Sequence, residues 1–240
     1  MSLFTRSMYA LSAMAIAYSG LLAPQLPALS QTLHLTQVRS FPEPADPANP
    51  EAWYERGKVL LLLERYGAAV ASFERAIALS PDYFAAWNDR GVALSKLGRY
   101  AEAVTSFERA LAIAPNSADA WYSQGFALNE LGRYREAVAS FDRSLAIAPR
   151  DSEAWYNRGF ALSMLSQHAE ALLSYDRALA ISPDLAEAYG NRGFALEALG
   201  RPEAARQSFQ MAADLFATQG KEDLRQLMRA RVAALQTNPN

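Results

Sequence analysis

The sequence of 240 residues contains no cysteine and only two histidines, His34 and His168. The absence of thiols excludes disulfides, thiolate zinc sites, iron–sulfur clusters and cysteine nucleophiles. The two histidines lie far apart in the chain, so the sequence indicates neither a histidine metal site nor a catalytic triad. We therefore expect no metal and no cofactor.

The chain also lacks an excess of charge of either sign. Lys and Arg number 23 against 25 for Asp and Glu, which gives a formal net charge of −2. Such a chain has no long-range field that attracts nucleic acid phosphates or an anionic membrane surface. Nucleic acid is not an expected partner. Because 51% of the residues are hydrophobic, the chain has enough apolar material for a sizeable core.

Residues 1–30 predict a targeting segment. Arg6 is their only charged residue, and an uncharged apolar run of 16 residues follows at 8–23. A run of this length is typical of a secretory signal peptide and is short for a membrane span. Ala28 and Ser30 suit signal cleavage after Ser30. We expect a location outside the cytoplasm, in a periplasm, a thylakoid lumen or the medium. The alternative is an uncleaved membrane anchor.

A linker and then a repeat follow this segment. Residues 31–49 contain three prolines, which favour extended chain. Beyond them the sequence repeats every 34 residues, so that similar residues recur in fixed columns. The columns are Trp53, Trp87, Trp121, Trp155 and Tyr189; Gly57, Gly91, Gly125, Gly159 and Gly193; Ala69, Ala103, Ala137, Ala171 and Ala205; Phe73, Phe107, Phe141, Tyr175 and Phe209; and Pro47, Pro81, Pro115, Pro149 and Pro183. Each repeat is therefore predicted to be one structural unit.

Apolar residues at steps of three and four predict two helices in each repeat and an all-α fold. Gly98, Gly132 and Gly200 lie between the two helices and suit a left-handed helix end. Asn49 and Asp184 are predicted to cap the helices that follow them.

These columns resemble the tetratricopeptide repeat, and residues 84–117 (FAAWNDRGVALSKLGRYAEAVTSFERALAIAPNS) carry nearly the whole pattern. The resemblance implies an α-solenoid, a right-handed superhelix of helix-turn-helix repeats at 50–83, 84–117, 118–151, 152–185 and 186–219. Residues 220–240 are predicted to form a C-terminal capping helix and tail, because one helix face collects Leu224, Leu227, Met228, Val232 and Leu235.

Arginine precedes the glycine column where the family usually has an apolar residue. The column reads Arg56, Arg90, Gln124, Arg158 and Arg192. An arginine on a packing face needs a partner. The second helices offer one column of acids, Glu74, Glu108, Asp142 and Asp176, which ends at Gln210. We predict a ladder of ion pairs between helices, and the alternative is an anion-binding row.

The resemblance also implies a concave groove in which a partner contacts set positions of the first helices. These positions are predicted to bind a protein or peptide through Tyr54, Lys58, Asn88, Val92, Tyr122, Phe126, Asn129, Tyr156, Phe160 and Phe194. Tyr122 with Phe126, and Tyr156 with Phe160, are expected to form a strip of exposed aromatic surface that holds a helix or an extended segment. The alternative is that these rings pack against neighbouring first helices. The tryptophan column is expected in the core.

Together these features predict a non-catalytic interaction scaffold. The sequence has no phosphate-binding glycine loop and no nucleophile elbow, and His168 is expected to be a surface residue in a turn. We therefore expect no enzymatic activity. The alternatives are a self-associating structural protein and a membrane-tethered assembly factor with residues 8–23 as its anchor.

Overall fold

The computed structural model of the protein describes residues 42–237, and in this range the chain forms helices and no strand. The predicted signal segment 1–30 and the linker up to residue 41 lie outside the described residues. The eleven helices of the described range are α1 (Pro50–Leu62), α2 (Tyr66–Leu79), α3 (Phe84–Lys96), α4 (Tyr100–Ile113), α5 (Ala118–Glu130), α6 (Tyr134–Ile147), α7 (Ser152–Met164), α8 (His168–Ile181), α9 (Ala186–Ala198), α10 (Pro202–Thr218) and α11 (Glu222–Thr237). The all-α fold with two helices per repeat is confirmed.

A residue with a left-handed backbone follows the first helix of each repeat. Gly98, Gly132 and Gly200 have φ angles of +73°, +72° and +68°, as their positions predict. Glu64 and Ser166 take the same role in the first and fourth repeats, with φ angles of 56° and 61°. Glycine adopts this conformation without the steric cost that a side chain brings, so these two positions carry local strain.

The predicted helix caps are right in one case and wrong in the other. Asn49 Oδ1 accepts a hydrogen bond from the Glu51 backbone N–H at 3.0 Å, which satisfies one free donor of α1. Asp184 is not the N-cap, because α9 begins at Ala186 and Leu185 occupies the capping position without a side-chain hydrogen bond. The capping carboxylate is at α7, where Asp151 accepts from Ala154 N at 3.0 Å.

The described chain divides into two compact units, residues 42–127 and 128–237. In the first unit Phe73 and Phe107 are fully buried, each facing a glycine of the preceding helix. A Cβ atom at Gly91 would lie 2.6 Å from Cε1 of Phe107, and a Cβ atom at Gly57 would lie closer still to Cε1 of Phe73. The glycine column therefore exists because only a hydrogen atom fits between helix and ring.

The second unit is built on the same contact. Phe141, Tyr175 and Phe209 are fully buried there, and a Cβ atom at Gly159 would lie 2.7 Å from Cε1 of Tyr175. The Tyr175 hydroxyl lies 3.2 Å from Oγ of Ser163, so this buried phenol has a hydrogen-bond partner.

The tryptophans are less buried than the phenylalanines. Trp53 is buried, whereas Trp87, Trp121 and Trp155 are half-buried. Each indole N–H donates to the carbonyl of the proline six residues earlier, at 2.8–3.0 Å. The expectation of a core tryptophan column is therefore right for Trp53 alone, and the other three indoles lie at the edge of their helix pairs.

Helix α11 packs at the C-terminal end of the second unit, as predicted. Leu224 and Met228 are fully buried in a cluster with Phe209 and Phe216. Lys221 Nζ lies 2.8 Å from Oε1 of Glu187 on α9. No helix among the described residues combines the length and the apolar character that crossing a bilayer requires.

Candidate functional site

The predicted partner-binding residues of the first unit are all half-buried. They lie on first helices, with Tyr54 and Lys58 on α1, Asn88 and Val92 on α3, and Tyr122 and Phe126 on α5. Part of each side chain therefore faces solvent, as a binding surface requires. Their role in partner binding stays a prediction.

A hydrogen-bonded group fixes the polar side chains of this face. The Tyr54 hydroxyl donates to Oδ2 of Asp89 at 3.0 Å, and Asn88 Nδ2 donates to Oδ1 of the same carboxylate at 3.0 Å. Lys58 Nζ lies 5.2 Å from the centre of the Tyr54 ring and 2.8 Å from Oε1 of Glu55. Burial and the Asp89 carboxylate raise the pKa of Tyr54 above its ordinary value, so the phenol stays protonated as a donor.

Three residues that the sequence analysis misses complete this group. Besides Asp89, they are Tyr83, whose ring centre lies 5.0 Å from that of Tyr54, and Glu51, which accepts a hydrogen bond from the Tyr83 hydroxyl. A sequence signal exists, since Asp89 follows Tyr54 by 35 residues and therefore lies on the next first helix. These contacts hold the aromatic rings in place before any partner binds.

The candidate residues of the second unit are buried. The exposed fractions are 5% for Asn129, 7% for Tyr156, 5% for Phe160 and 1% for Phe194. The expected exposure of Tyr156 and Phe160 is therefore wrong, because both rings pack inside their own unit. Whether these residues contribute to partner binding stays a prediction.

The contacts of the buried rings explain their burial. Asn191 Nδ2 donates to the Tyr156 hydroxyl at 3.2 Å, and the Tyr156 ring centre lies 6.2 Å from that of Tyr175. The Phe160 ring meets the Tyr134 ring edge-on at 6.3 Å. These rings contribute to the core of their unit.

The last first helix is covered by α11. Phe194 packs edge-on against Phe209 at 4.9 Å between ring centres, and the Arg231 guanidinium lies 5.6 Å from the Phe194 ring centre. Arg231 also donates to Glu197, which lies one helical turn beyond Phe194. The C-terminal helix therefore covers this face of the fifth repeat in the described structure.

The predicted ladder of ion pairs is present at three arginines. Arg90 Nη2 lies 2.8 Å from Glu74 Oε1, Arg158 Nε lies 2.6 Å from Asp142 Oδ1, and the matching pair is Arg192 with Asp176 at 2.6 Å. Each arginine reaches the acid on the second helix of the preceding repeat. The pairs therefore join neighbouring repeats, and no anion is needed to balance these guanidinium groups.

A serine column completes the ladder and is missing from the sequence analysis. Each arginine also donates from Nη1 to a buried serine 16 residues later, on the second helix of its own repeat. The bonds are Arg90 to Ser106 at 2.7 Å, Arg158 to Ser174 at 2.8 Å, Arg192 to Ser208 at 2.6 Å, and Arg56 to Ser72.

The ion-pair ladder is interrupted in the repeats where the arginine or the acid is replaced or has no partner helix. Arg56 has no preceding repeat, and its Nε donates instead to the backbone carbonyl of Pro42 at 3.0 Å. Gln124 replaces arginine in the third repeat, and among the described residues no ion pair includes Glu108. Gln210 ends the acid column and donates to Asp214 at 2.9 Å.

His168 is half-buried and is the first residue of α8, whereas the sequence predicted it in the turn that precedes this helix. Burial lowers its pKa below the ordinary histidine value. Within residues 42–237 no group of acids and histidines is arranged to hold a metal ion.

Comparison with known families matches the tetratricopeptide repeat at residues 38–84, 54–118 and 88–152, and again at 152–185 and 174–207. No curated protein matches the chain. Among solved structures, the chain is similar to YrrB, titled a TPR protein with an unusual peptide-binding site, with 22% identity and a TM-score of 0.68 over 77% of this chain and 94% of YrrB. It is also similar to MamA from Desulfovibrio magneticus RS-1, with 23% identity and a TM-score of 0.68 over 72% of this chain and 97% of that one. At this identity the likeness shows the fold.

Proposed function

Because this chain belongs to the tetratricopeptide repeat family, we propose that it is a non-catalytic scaffold that binds a peptide or helix of a partner protein. Families built from such repeats are interaction modules, since stacked helix pairs present long continuous surfaces. The first helices of residues 42–127 carry the binding face. YrrB, which shares the fold, has a peptide-binding site.

The observation that carries the proposal is the difference in burial between equivalent positions. Tyr54 and Lys58 are half-buried, and so are the residues at the equivalent positions of the second and third repeats, whereas Tyr156, Phe160 and Phe194 are covered by their own unit. Aromatic and apolar side chains that stay half-exposed and are held by hydrogen bonds lose little entropy when a partner binds. The first unit therefore supplies the contact surface, through Tyr54, Lys58, Asn88, Val92, Tyr122 and Phe126.

The test uses peptides selected on the purified chain from a displayed random library. Val92→Asp places a charge on the binding face, and Ile113→Asp makes the same change at an exposed apolar residue of a second helix. We expect the Val92→Asp variant to bind selected peptides at least about tenfold more weakly and the Ile113→Asp variant to bind them normally. Equal binding by all three chains, with equal helical circular dichroism, would place the binding surface elsewhere.

We place the protein outside the cytoplasm, after removal of residues 1–30. The support is the apolar run at 8–23, the single charge before it and the small residues Ala28 and Ser30. Intact mass spectrometry of the native protein tests this. A mature chain that begins at Gln31 is the expected result, and a mass that retains residues 1–30 in a membrane fraction favours the tethered assembly factor.

Self-association stays the structural alternative. Light scattering of the purified chain separates the two functions, because a scaffold for a foreign partner is monomeric at micromolar concentration and a self-associating protein is not.

A further inference from the structure

Two tyrosines and three carboxylates lie together on the binding face of the first two repeats. We call them the tyrosine-carboxylate site, and its members are Glu51, Tyr54 and Glu55 on α1, Tyr83 just before α3, and Asp89 on α3. Burial and the hydrogen bond to Glu51 raise the pKa of the Tyr83 phenol. The Glu55 and Asp89 carboxylates raise it further. All three acids therefore act on the same small region.

The two helices bring little positive charge to this site. Arg56 and Arg90 donate to serines of the second helices. Lys96 is the last residue of α3, about 10 Å along the helix from Asp89. Lys58 is the remaining cation of α1 and α3. The site therefore has three carboxylates and only one nearby ammonium group, so its charge is negative.

Hydrogen-bond acceptors also exceed donors at this site. The hydroxyl protons of Tyr54 and Tyr83 are already donated to Asp89 and Glu51. An ionised carboxylate has about four lone-pair positions and no proton to give. Oδ1 of Asn88, which lies beside Asp89, is shielded from water and accepts no hydrogen bond from the described residues. A partner that suits the site must therefore supply donors.

The aromatic rings of the site favour a donor that is also a cation. Lys58 Nζ lies 5.2 Å from the centre of the Tyr54 ring, so this ring already faces one positive charge. The Tyr83 ring centre lies 5.0 Å from that of Tyr54, and both residues are half-buried. A guanidinium group can stack on such a ring and donate two hydrogen bonds to a carboxylate at the same time.

We infer that the partner peptide is basic and places an arginine or lysine side chain in the tyrosine-carboxylate site. The inference rests on the proposed function, because it names the charge of the peptide that this face binds. An acidic peptide is the unsuitable ligand, since its carboxylates would approach three like charges and find few donors.

The peptides selected from the displayed random library provide the first measurement. We expect them to contain more arginine and lysine than the unselected library does. A selected basic peptide is then compared with an analogue in which glutamine replaces each arginine and lysine. Fluorescence anisotropy with the labelled peptides is expected to show at least about tenfold weaker binding of the analogue to the native chain.

Changes in the chain identify the site that reads this charge. Glu51→Gln together with Asp89→Asn removes two charges and keeps an oxygen that accepts from each tyrosine. Glu108→Gln is the control, because Glu108 is an exposed acid of α4 and takes part in no ion pair of the described residues. We expect the peptide and its analogue to differ by less than about threefold on the double variant. The control is expected to keep the full difference, and equal circular dichroism checks the fold.

The outcomes separate this inference from the proposed function. Selected peptides that are not enriched in basic residues, but lose binding to the Val92→Asp chain, overturn the inference and leave the proposed function standing. A tenfold preference that the double variant retains also overturns it, because the charge is then recognised elsewhere. If Val92→Asp weakens no selected peptide, both the proposed function and the inference fail.

Discussion

Replacing Gly91 with alanine adds one methyl group at a place where α3 touches the Phe107 ring. The added Cβ would lie 2.6, 2.8 and 2.9 Å from three ring carbons of a fully buried side chain. Ordinary contacts begin near 3.4 Å, so helix and ring must separate by roughly 0.8 Å. A ring that is enclosed on all sides cannot rotate out of the way, and the strain is shared by the helix pair.

Two opposing effects decide the sign of the change. In a helix interior, replacing glycine by alanine normally stabilises by about 1 kcal/mol, because the unfolded chain loses freedom. Overpacking of a filled core costs about 1–3 kcal/mol, and three contacts below 3.0 Å put Gly91→Ala at the upper end. We expect a net loss of about 2 kcal/mol, which lowers Tm by about 4–8 °C for a chain of this size.

Thermal unfolding followed by circular dichroism at the helical band measures this effect. Gly67→Ala is the matched control, since Gly67 is an exposed helical glycine with nothing within 4 Å of the added Cβ, and it is expected to raise Tm. Phe107→Leu removes the ring carbons, so Gly91→Ala is expected to cost less than about 0.5 kcal/mol in that background. A Gly91→Ala chain that is as stable as the native one, or equally destabilised in both backgrounds, would refute the steric origin of the glycine column.

Three further results are expected. A double-mutant cycle of Arg158→Met and Asp142→Asn gives a coupling energy of about 0.5–1 kcal/mol in urea unfolding, because the acid is half-exposed; zero coupling contradicts a stabilising ladder. Tyr175→Phe and Ser163→Ala each cost about 1 kcal/mol through the shared hydrogen bond and together cost less than their sum; additive losses contradict it. Burial raises the pKa of both Tyr156 and Tyr175 above 10.0, so the contribution of these two phenols to the free energy of unfolding is constant below about pH 10 and falls as the pH rises further. Absorbance at 295 nm, which rises when a phenol ionises, measures the titration of the two tyrosines. Two phenols that ionise near pH 10 in the folded chain would contradict their burial.

The features that the sequence predicts well are those that recur in every repeat. Glycines of one column, such as Gly57 and Gly91, occupy the same structural position in their repeats. Each of them makes the same close contact with an aromatic ring. The left-handed Gly98 and the ion pair of Arg90 with Glu74 are predictable for the same reason. Each needs only its own repeat or the adjacent one, so a single sequence contains both partners at a fixed spacing.

Exposure is harder to predict because it depends on residues outside the column. Tyr54 and Tyr156 occupy the same position, yet one is half-buried and the other is 7% exposed. The residue 35 positions later differs between them. Tyr54 donates to Asp89, whereas Tyr156 accepts from the buried Asn191. The same applies to Phe194, whose cover is Arg231 of a helix that belongs to no repeat. Columns therefore predict which side of a helix a residue faces, and the covering side chains decide how much of it solvent reaches.

The serine column can be predicted from the sequence, but a search for oppositely charged residues alone does not find it. A guanidinium carries five N–H donors, and one carboxylate accepts from only part of them. On Arg90 the Glu74 carboxylate accepts from Nε and Nη2, while Nη1 points into the helix pair, where an unpaired donor is costly. Ser106 meets that need. Its Oγ donates its own proton to the Glu102 carbonyl at 2.9 Å, so its lone pairs face the guanidinium. The number of guanidinium donors therefore predicts a second, uncharged acceptor on the other neighbouring helix. The buried serines that recur every 34 residues supply this acceptor.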